Sequence, residues 1–315
     1  MATLEFAPED LELVRLAQAG SPAPWELFLV HREAERLALV EGFEELMCLP
    51  SLNGVERFPH QERTALRVMR RMRGRAILGD EVGLGKTVEA GLILKEYILR
   101  GLVRRALVLC PPSLIEQWRS ELSDKFGLQF VTTQDPEFRE RGEGAWSALD
   151  RVVASLPLAR RAAHRQAIAA AGGFDLVVVD ESHVLRNRAS SAWRLVHEIP
   201  RKFLLLLTAT PVQNDLEELY NLITLLQPGQ LGTPAQFRKD FVDPKDRRRP
   251  RNVQVLRELM LDVMVRNTRA SVQVVLPPRR ARTLRLAPGE DEAALMRDLH
   301  KAVHAAWGQP GVGGC

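Results

Sequence analysis

The sequence has no long apolar run and few cysteines, and both absences narrow the classes of protein to consider. No uninterrupted apolar stretch reaches the roughly 18 residues that a membrane-spanning helix needs. The three cysteines, Cys48, Cys110 and Cys315, lie far apart and form no CxxC pair. This spacing argues against a disulfide framework or a zinc site and fits a reducing compartment. The acidic N-terminus also lacks the charged and apolar regions of a signal peptide. We therefore expect a cytoplasmic protein.

Net charge is also small, because 44 Lys and Arg residues face 40 Asp and Glu residues, an excess of +4. Such an excess does not establish nucleic-acid binding, and it does not oppose it. Of the 315 residues, 45% are hydrophobic and 27% are charged, which is typical of a globular protein. That length accommodates one large α/β domain or two domains of average size.

The most informative stretch is RAILGDEVGLGKT at residues 75–87. A short apolar strand runs into a glycine-bearing turn, and a helix follows from Val88, which is the context of a phosphate-binding loop. Lys86 would reach the β- and γ-phosphates, and the Thr87 hydroxyl would hold Mg²⁺. The complete pattern has glycine five positions before Gly85, where this sequence has Asp80.

Apolar runs separated by helical patterns predict an α/β fold with a doubly wound, mainly parallel sheet and helices on both faces. A small helical segment at 8–48 precedes it. Six strands are predicted at 76–78, 106–110, 128–132, 151–155, 174–179 and 202–207, and a further strand at 271–276. Helices are predicted at 59–73, 88–99, 114–125 with Ser113 as N-cap, 157–171, from 216 with Asn214 or Asp215 as N-cap, and 253–265.

Two of these strands deliver polar residues at the carboxyl edge of the sheet, where open α/β sheets bind ligands. Asp180 would hold Mg²⁺ through water, and Glu181 would position or deprotonate the attacking water. Thr208-Ala209-Thr210 follows the next strand. For His183 two roles stay open, either a hydrogen bond at a helix start or coupling of the Mg²⁺ site to that threonine turn.

Five motifs then occur in the order that one family uses. They are PHQ (59–61), GDEVGLGKTVEAGLIL (79–94), LVLCPPSLIEQWRSEL (107–122), VVVDESHVLRN (177–187) and LLLTATPVQNDLEELYNLITLLQPG (205–229). Together they resemble the Swi/Snf-type ATPases of helicase superfamily 2. Two of them, DEVGLGKTVEAG (80–91) and PHQ (59–61), are most similar to the RapA-like bacterial branch. The resemblance covers roughly residues 55–280 and implies the first, ATP-binding, RecA-like lobe. In that family Asp80 is the usual residue at its position.

The resemblance implies ATP and Mg²⁺ as cofactors and assigns roles to individual residues. Gln61 would read the adenine edge. Residues 111–118, which include Ser113, would face DNA or couple it to hydrolysis, as would Ser155, Thr208 and Thr210. Asn214 and Arg266 match further family positions. The residues that it places around the nucleotide are Gln61, Asp80, Glu81, Gly83, Gly85, Lys86 and Thr87.

Such motors have two lobes, and the second supplies arginine fingers. We expect an N-terminal helical accessory segment at 1–54, the RecA-like domain at 55–230, a helical and basic extension at 231–307, and a disordered tail at 308–315. Since no second series of strands and helices follows residue 280, the chain is expected to be truncated, frame-shifted or completed by a separate second-lobe chain. Isolated, it would bind ATP–Mg²⁺ and hydrolyse it very slowly.

Three functions remain open. The favoured one is the first lobe of a DNA-dependent ATPase that translocates on duplex and remodels protein–nucleic acid complexes. A strand-separating helicase is the enzymatic rival, and a nucleotide-gated binding module without catalysis is the third. Expected partners are double-stranded DNA, RNA polymerase or a separate second-lobe chain, and the expected location is the bacterial nucleoid. Contacts to phosphates would make DNA binding tolerant of sequence and sensitive to salt.

Overall fold

The computed structural model describes residues 43–210, 216–243, 250–272 and 289–307, together with residues 25, 29 and 32. It divides into two compact units, Met1–Gln273 and Val274–Cys315. Several predictions lie outside the described residues. They are most of the helical pattern at 8–48, the capping residues Asn214 and Asp215, residues 244–249 of the helical and basic extension, and the tail at 308–315.

The first unit is built on a parallel sheet of seven strands in the order β3-β4-β2-β5-β6-β1-β7. Every strand pair is parallel, which confirms the doubly wound fold. The strands are β1 Arg75–Leu78, β2 Ala106–Cys110, β3 Val131–Thr132, β4 Arg151–Ser155, β5 Phe174–Val179, β6 Arg201–Leu207 and β7 Met264–Val265.

Helices cover both faces of this sheet. In the first unit they are α1 Pro59–Arg70, α2 Lys86–Leu99, α3 Ile115–Phe126, α4 Pro136–Arg141, α5 Ala145–Ala148, α6 Leu156–Ala159, α7 Ala162–Ala170, α8 Ser191–Glu198, α9 Leu216–Leu226, α10 Pro234–Phe241, α11 Val253–Leu261 and α12 Arg269–Val272. Alternate strand residues enter two separate cores. In β1, Ile77 joins one core, and Ala76 and Leu78 join the other.

Two predictions near residue 265 are wrong. The helix predicted at 253–265 ends at Leu261, and Met264–Val265 forms β7, which pairs with Ile77 and Leu78 of β1. The apolar pattern continues through Val263, which is why a longer helix is predicted. As a strand, residues 264 and 265 instead pair their backbone groups with those at the free edge of β1. The strand predicted at 271–276 is also wrong for its described part, because residues 271 and 272 belong to α12.

Other boundaries differ for local reasons. Ser113 lies in a short 3-10 turn, Pro112–Leu114, and α3 begins after it without a side-chain cap. The helix predicted at 157–171 is interrupted at Arg161, whose ψ of 144° is extended. Only the last two residues of the strand predicted at 128–132 pair with β4.

Arginines line the amino edge of the sheet. Arg75 begins β1, Arg105 precedes β2 and Arg201 begins β6. Their guanidinium groups donate to carbonyl oxygens at the last turns of α9, α7 and α8. Helix ends leave carbonyls unpaired and carry partial negative charge, so these side chains satisfy hydrogen bonds and complement the helix dipoles.

The second unit contains α13, Glu290–Trp307. Among the described residues, no helix is both long enough and apolar enough to cross a membrane.

Close packing of α2 against α3 gives a test of the fold. A Cβ on Gly91 would lie 2.3 Å from the ring of Phe126, which is fully buried. We expect Gly91→Ala to lower the free energy of unfolding by about 1–3 kcal/mol, because the ring has no free space to move into. Urea unfolding followed by circular dichroism measures this.

Gly144→Ala is the matched control, since no atom lies within 4 Å of the added Cβ and φ is −64°. It should leave stability unchanged or raise it by about 0.4–1 kcal/mol. Adding Phe126→Leu to Gly91→Ala should recover part of the loss. Equal effects of the two alanine substitutions would contradict the packing argument.

Candidate functional site

The predicted site residues follow strands whose carboxyl ends lie at one edge of the sheet. Leu78 of β1 is level with Leu207 of β6, and Val179 of β5 is level with Leu206. Because β6 lies between β1 and β5, the loops after β1 and β5 leave the sheet about 10 Å apart. The Thr208 backbone N–H donates to the Leu78 carbonyl at 3.1 Å, which extends the β1–β6 pairing into the threonine turn.

The loop after β1 has the backbone shape that an anion site needs. Gly83 and Gly85 have φ values of 89° and 86°, which side chains rarely adopt. The first intrahelical hydrogen bond of α2 runs from the Glu89 N–H to the Gly85 carbonyl. The N–H groups of Lys86, Thr87 and Val88 therefore lie at the open, partly positive end of the helix.

Lys86 lies at the centre of this loop. Its Nζ donates to the carbonyl of Asp80 at 2.8 Å, so the ammonium group is folded across the turn. Thr87 follows on the first turn of α2 and is partly exposed. Both side chains stand at the loop predicted for phosphate and Mg²⁺.

Gln61 and His60 support the loop from α1. The Gln61 amide nitrogen donates to the Leu84 carbonyl at 3.0 Å, and His60 Nε2 lies 3.1 Å from the same oxygen. The φ of 86° favours glycine at position 85, and an added Cβ would lie 2.3 Å from the Gln61 amide nitrogen, so a larger residue would also displace that side chain. Adenine recognition by Gln61 remains a prediction, while its described amide contact is with the loop.

Asp180 is held by two donors. The indole N–H of Trp118, on α3, donates to one carboxylate oxygen at 2.9 Å, and the Glu181 backbone N–H donates to the other at 2.8 Å. Burial raises the pKa of Asp180 above its ordinary value, while these two donors and the charge of Lys86 act in the opposite direction. The Lys86 charge thus acts on Asp180 across the intervening strand.

Glu181 has a strained backbone. Its φ of 47° and ψ of 46° lie in the left-handed region, which non-glycine residues adopt at a cost of about 1–3 kcal/mol. Its exposed carboxylate lies 3.0 Å from His183 Nδ1. The turn therefore points Glu181 outward while Asp180 stays anchored beneath it.

Arg186 contacts the threonine turn at Thr210. Its guanidinium group donates to the Thr210 carbonyl and, at 3.0 Å, to the Thr210 hydroxyl. It also forms an ion pair with Glu218 at 3.4 Å, both side chains being mostly buried. Coupling through His183 remains a prediction, since the described partner of that ring is Glu181.

Ser113 and Ser155 lie at the same edge but farther from the phosphate loop. Ser155 ends β4, level with Cys110 of β2, and its hydroxyl accepts from the Leu158 N–H as the N-cap of α6. Ser113 follows β2 and is exposed. Because β4 is four strand spacings from β1, Ser155 is about 19 Å from the loop.

Asp80 and Glu81 direct their side chains toward residues that sequence reasoning did not assign. The Asp80 carboxylate is fully buried and is bound by Asn267, and Glu81 accepts from the Arg269 N–H. Trp118 and Arg186 were likewise not singled out. Both residues lie inside motifs quoted above, so the motifs could have indicated them. Asn267 is distant from Asp80 in sequence and approaches it only in the folded chain.

The loop and the carboxylate suit ATP–Mg²⁺ on structural grounds. Gly85 has a backbone conformation that favours glycine, the N–H groups at the start of α2 lie at its open end, and the charge of Lys86 acts on the anchored Asp180. Mg²⁺ is commonly held by one or two protein oxygens, substrate phosphates and water, so Thr87 and Asp180 are an adequate pair. Among the described residues, no group of three or more His, Cys, Asp or Glu side chains could hold a metal by itself.

This combination defines a class of protein, an α/β phosphate-loop domain with an acidic pair after a second strand of the same sheet, separated from the loop's own strand by β6. Residues 60–306 match the family described as SNF2-related domain. The chain belongs to this family. The α/β domain built on its sheet is a Swi/Snf-type ATPase lobe of helicase superfamily 2.

Among curated proteins it is 38% identical over 287 residues to a Bacillus subtilis (strain 168) protein called "Uncharacterized ATP-dependent helicase YqhH". The match covers 91% of this chain and 50% of the relative. The chain thus spans about half the length of that protein.

Two solved structures from Sulfolobus solfataricus share the fold. The SWI2/SNF2 ATPase core in complex with dsDNA matches with a TM-score of 0.58 and 22% identity, covering 73% of this chain and 47% of that one. The SWI2/SNF2 ATPase core domain matches with a TM-score of 0.58 and 20% identity, covering 85% and 56%. At these identities the likeness shows the fold alone.

A buried acid beside the loop gives a prediction for pH dependence. Glu89 is fully buried, and burial first, then the charge of Asp80, raises its pKa well above 4.5. The folded state therefore binds a proton that the unfolded state releases, and stability falls as pH rises from 4.5 toward the raised pKa. Glu89→Gln should flatten this decline by up to about 1.4 kcal/mol per pH unit.

Urea unfolding at several pH values in EDTA measures the slope. Glu143→Gln, at an exposed position, removes the same charge and should leave the slope unchanged. Parallel curves for wild type and Glu89→Gln would show that Glu89 is charged in the folded protein.

Proposed function

We propose that this chain is the ATP-binding lobe of a DNA-dependent ATPase that translocates on duplex DNA. The observation that carries the proposal is the position of Lys86 and Asp180 on loops about 10 Å apart at one sheet edge. A triphosphate on the glycine loop would bring Mg²⁺ between them.

In this proposal each side chain has one task. Lys86 and the N–H groups at the start of α2 bind the phosphates. Thr87 and Asp180 hold Mg²⁺, which neutralises phosphate charge when bound. Glu181 orients or deprotonates the attacking water, a task to which its outward carboxylate is suited.

DNA enters the proposal through further residues of the carboxyl edge of the sheet. Ser113, Ser155 and the turn of Thr208 and Thr210 lie along this edge, and one structure with the same fold is described as a complex with dsDNA. Contacts of such hydroxyl groups with phosphates would give binding that is tolerant of sequence. We also propose the RapA-like branch, because the residue sequences at 59–61 and 80–91 are most similar to it.

The remodelling of protein–nucleic acid complexes and the need for a second lobe belong to the same proposal. An arginine finger contributes about 10³–10⁵-fold to rate in comparable phosphoryl-transfer enzymes. We therefore expect the isolated chain to bind ATP–Mg²⁺ and to hydrolyse it slowly, with or without DNA.

Calorimetric titration with ATP–Mg²⁺ tests nucleotide binding. Lys86→Ala should weaken affinity by about tenfold or more, since a charged hydrogen-bonding partner of the phosphates is lost. Lys239→Ala, at an exposed position on α10, is the control and should bind like wild type. Absence of binding by the wild-type chain would refute the proposal.

Turnover measured with and without duplex DNA tests the catalytic part. Hydrolysis of several ATP per second that is lost in Lys86→Ala would contradict the expected dependence on a second lobe. Separation of strands in a forked duplex would favour a helicase.

A further inference from the structure

Residues 265–269 extend the sheet along the first half of the phosphate loop. The Gly79 N–H donates to the Val265 carbonyl at 2.8 Å, and the Glu81 N–H donates to the Asn267 carbonyl at 3.1 Å. These bonds continue the parallel pairing of β1 with β7 beyond the last residues of both strands. We call residues Val265–Arg269 the loop bracket.

Asn267 binds the side chain of Asp80 from the loop bracket. Its backbone N–H donates to one carboxylate oxygen at 2.7 Å, and its amide nitrogen lies 2.9 and 3.2 Å from the two oxygens. The same amide nitrogen donates to the Thr64 hydroxyl at 3.1 Å. Asp80 is fully buried, so these donors replace the water that its charge would otherwise require.

Arg269, two residues after Asn267, contacts the next two residues of the phosphate loop, Glu81 and Val82. Its guanidinium group donates to the Val82 carbonyl at 2.7 Å, and its backbone N–H donates to the Glu81 carboxylate at 3.0 Å. A Cβ on Gly83 would lie 3.6 Å from the same guanidinium nitrogen. The loop bracket therefore contacts each residue from Gly79 to Val82.

We propose that Asn267 and Arg269 are positioning residues that hold the phosphate loop in its nucleotide-binding shape. This inference rests on the proposed function, since it assigns the loop to a nucleotide. Neither residue needs to contact the ligand. Asn267 fixes Asp80, whose carbonyl accepts from Lys86 Nζ, so a change at position 267 reaches the lysine through the loop backbone.

An isosteric exchange provides the main test. Asn267→Asp removes the amide donor and places a second carboxylate against Asp80, with almost no change of volume. Affinity for ATP–Mg²⁺, measured by calorimetry, should fall by about tenfold or more. Asn53→Asp makes the same chemical change at an exposed position and should leave affinity unchanged.

The double variant Asp80→Asn/Asn267→Asp reverses donor and acceptor across the same contact. The Thr64 hydroxyl can then donate to the carboxylate at position 267. We expect affinity to return to within about threefold of wild type, because the pair again has one donor and one acceptor group. Failure to recover affinity, with a melting temperature equal to that of wild type, would overturn the inference, as would wild-type affinity in Asn267→Asp.

Arg269→Ala keeps the test decisive if Asn267→Asp does not fold, because Arg269 is exposed. It should weaken ATP–Mg²⁺ binding by about fivefold to tenfold while the melting temperature without nucleotide stays unchanged. Arg257→Ala, an exposed arginine of α11, is the control. Equal affinity of both variants and wild type would overturn the role of Arg269.

Failure of this inference can be distinguished from failure of the proposed function. If wild type binds ATP–Mg²⁺ and Lys86→Ala does not, the nucleotide site stands, whatever the bracket variants do. If wild type itself does not bind, the nucleotide site and the inference fall together.

Discussion

The parallel pairing of β1, β6 and β5 is the constraint on which the site depends. It places Gly79, Thr208 and Asp180 one after another along the carboxyl edge, although they are distant in sequence. A slip of one residue in this pairing would move a loop by about 3.3 Å along the strand and turn each side chain to the opposite face. Both faces are buried in apolar cores, so such a slip would bring the wrong side chains into each core. Packing of the two cores, away from the carboxyl edge, therefore fixes the distance between the loops that carry Lys86 and Asp180.

The two edges of the sheet have complementary electrostatic roles. Helices that follow strands begin at the carboxyl edge and end at the amino edge, so their positive ends and negative ends are separated. At the amino edge, Arg75, Arg105 and Arg201 bind the negative helix ends with their own charges. Burial lowers the pKa of Arg201 to about 10, which still leaves it charged at neutral pH. At the carboxyl edge, the open end of α2 is left for an anion.

Sequence reasoning predicted the parts of the fold that are governed by local pattern. Long apolar runs such as 174–179 fix buried strands, and the glycine spacing at 83–87 fixes the loop. It failed where a distant partner decides. Strand β7 has two residues, and its apolar pattern continues that of α11, so only the open edge of β1 makes it a strand. The bond between Asp80 and Asn267 spans 187 positions, and no local pattern at either residue predicts it. The family resemblance placed Asp80 in the loop but could not say which group its carboxylate binds.

These distant contacts answer an electrostatic question that the loop sequence raises. Asp80, Glu81 and Glu89 surround a loop that would receive a highly charged triphosphate, and three free carboxylates there would repel it. The Asp80 carboxylate is buried against the amide and backbone N–H of Asn267. Glu81 accepts from the Arg269 N–H, and burial raises the pKa of Glu89 so that its neutral form is favoured. Each of these three acids therefore accepts from a donor or is favoured in its neutral form. The electrostatic potential on the open side of the loop then comes mainly from Lys86 and the partly positive N-terminus of α2.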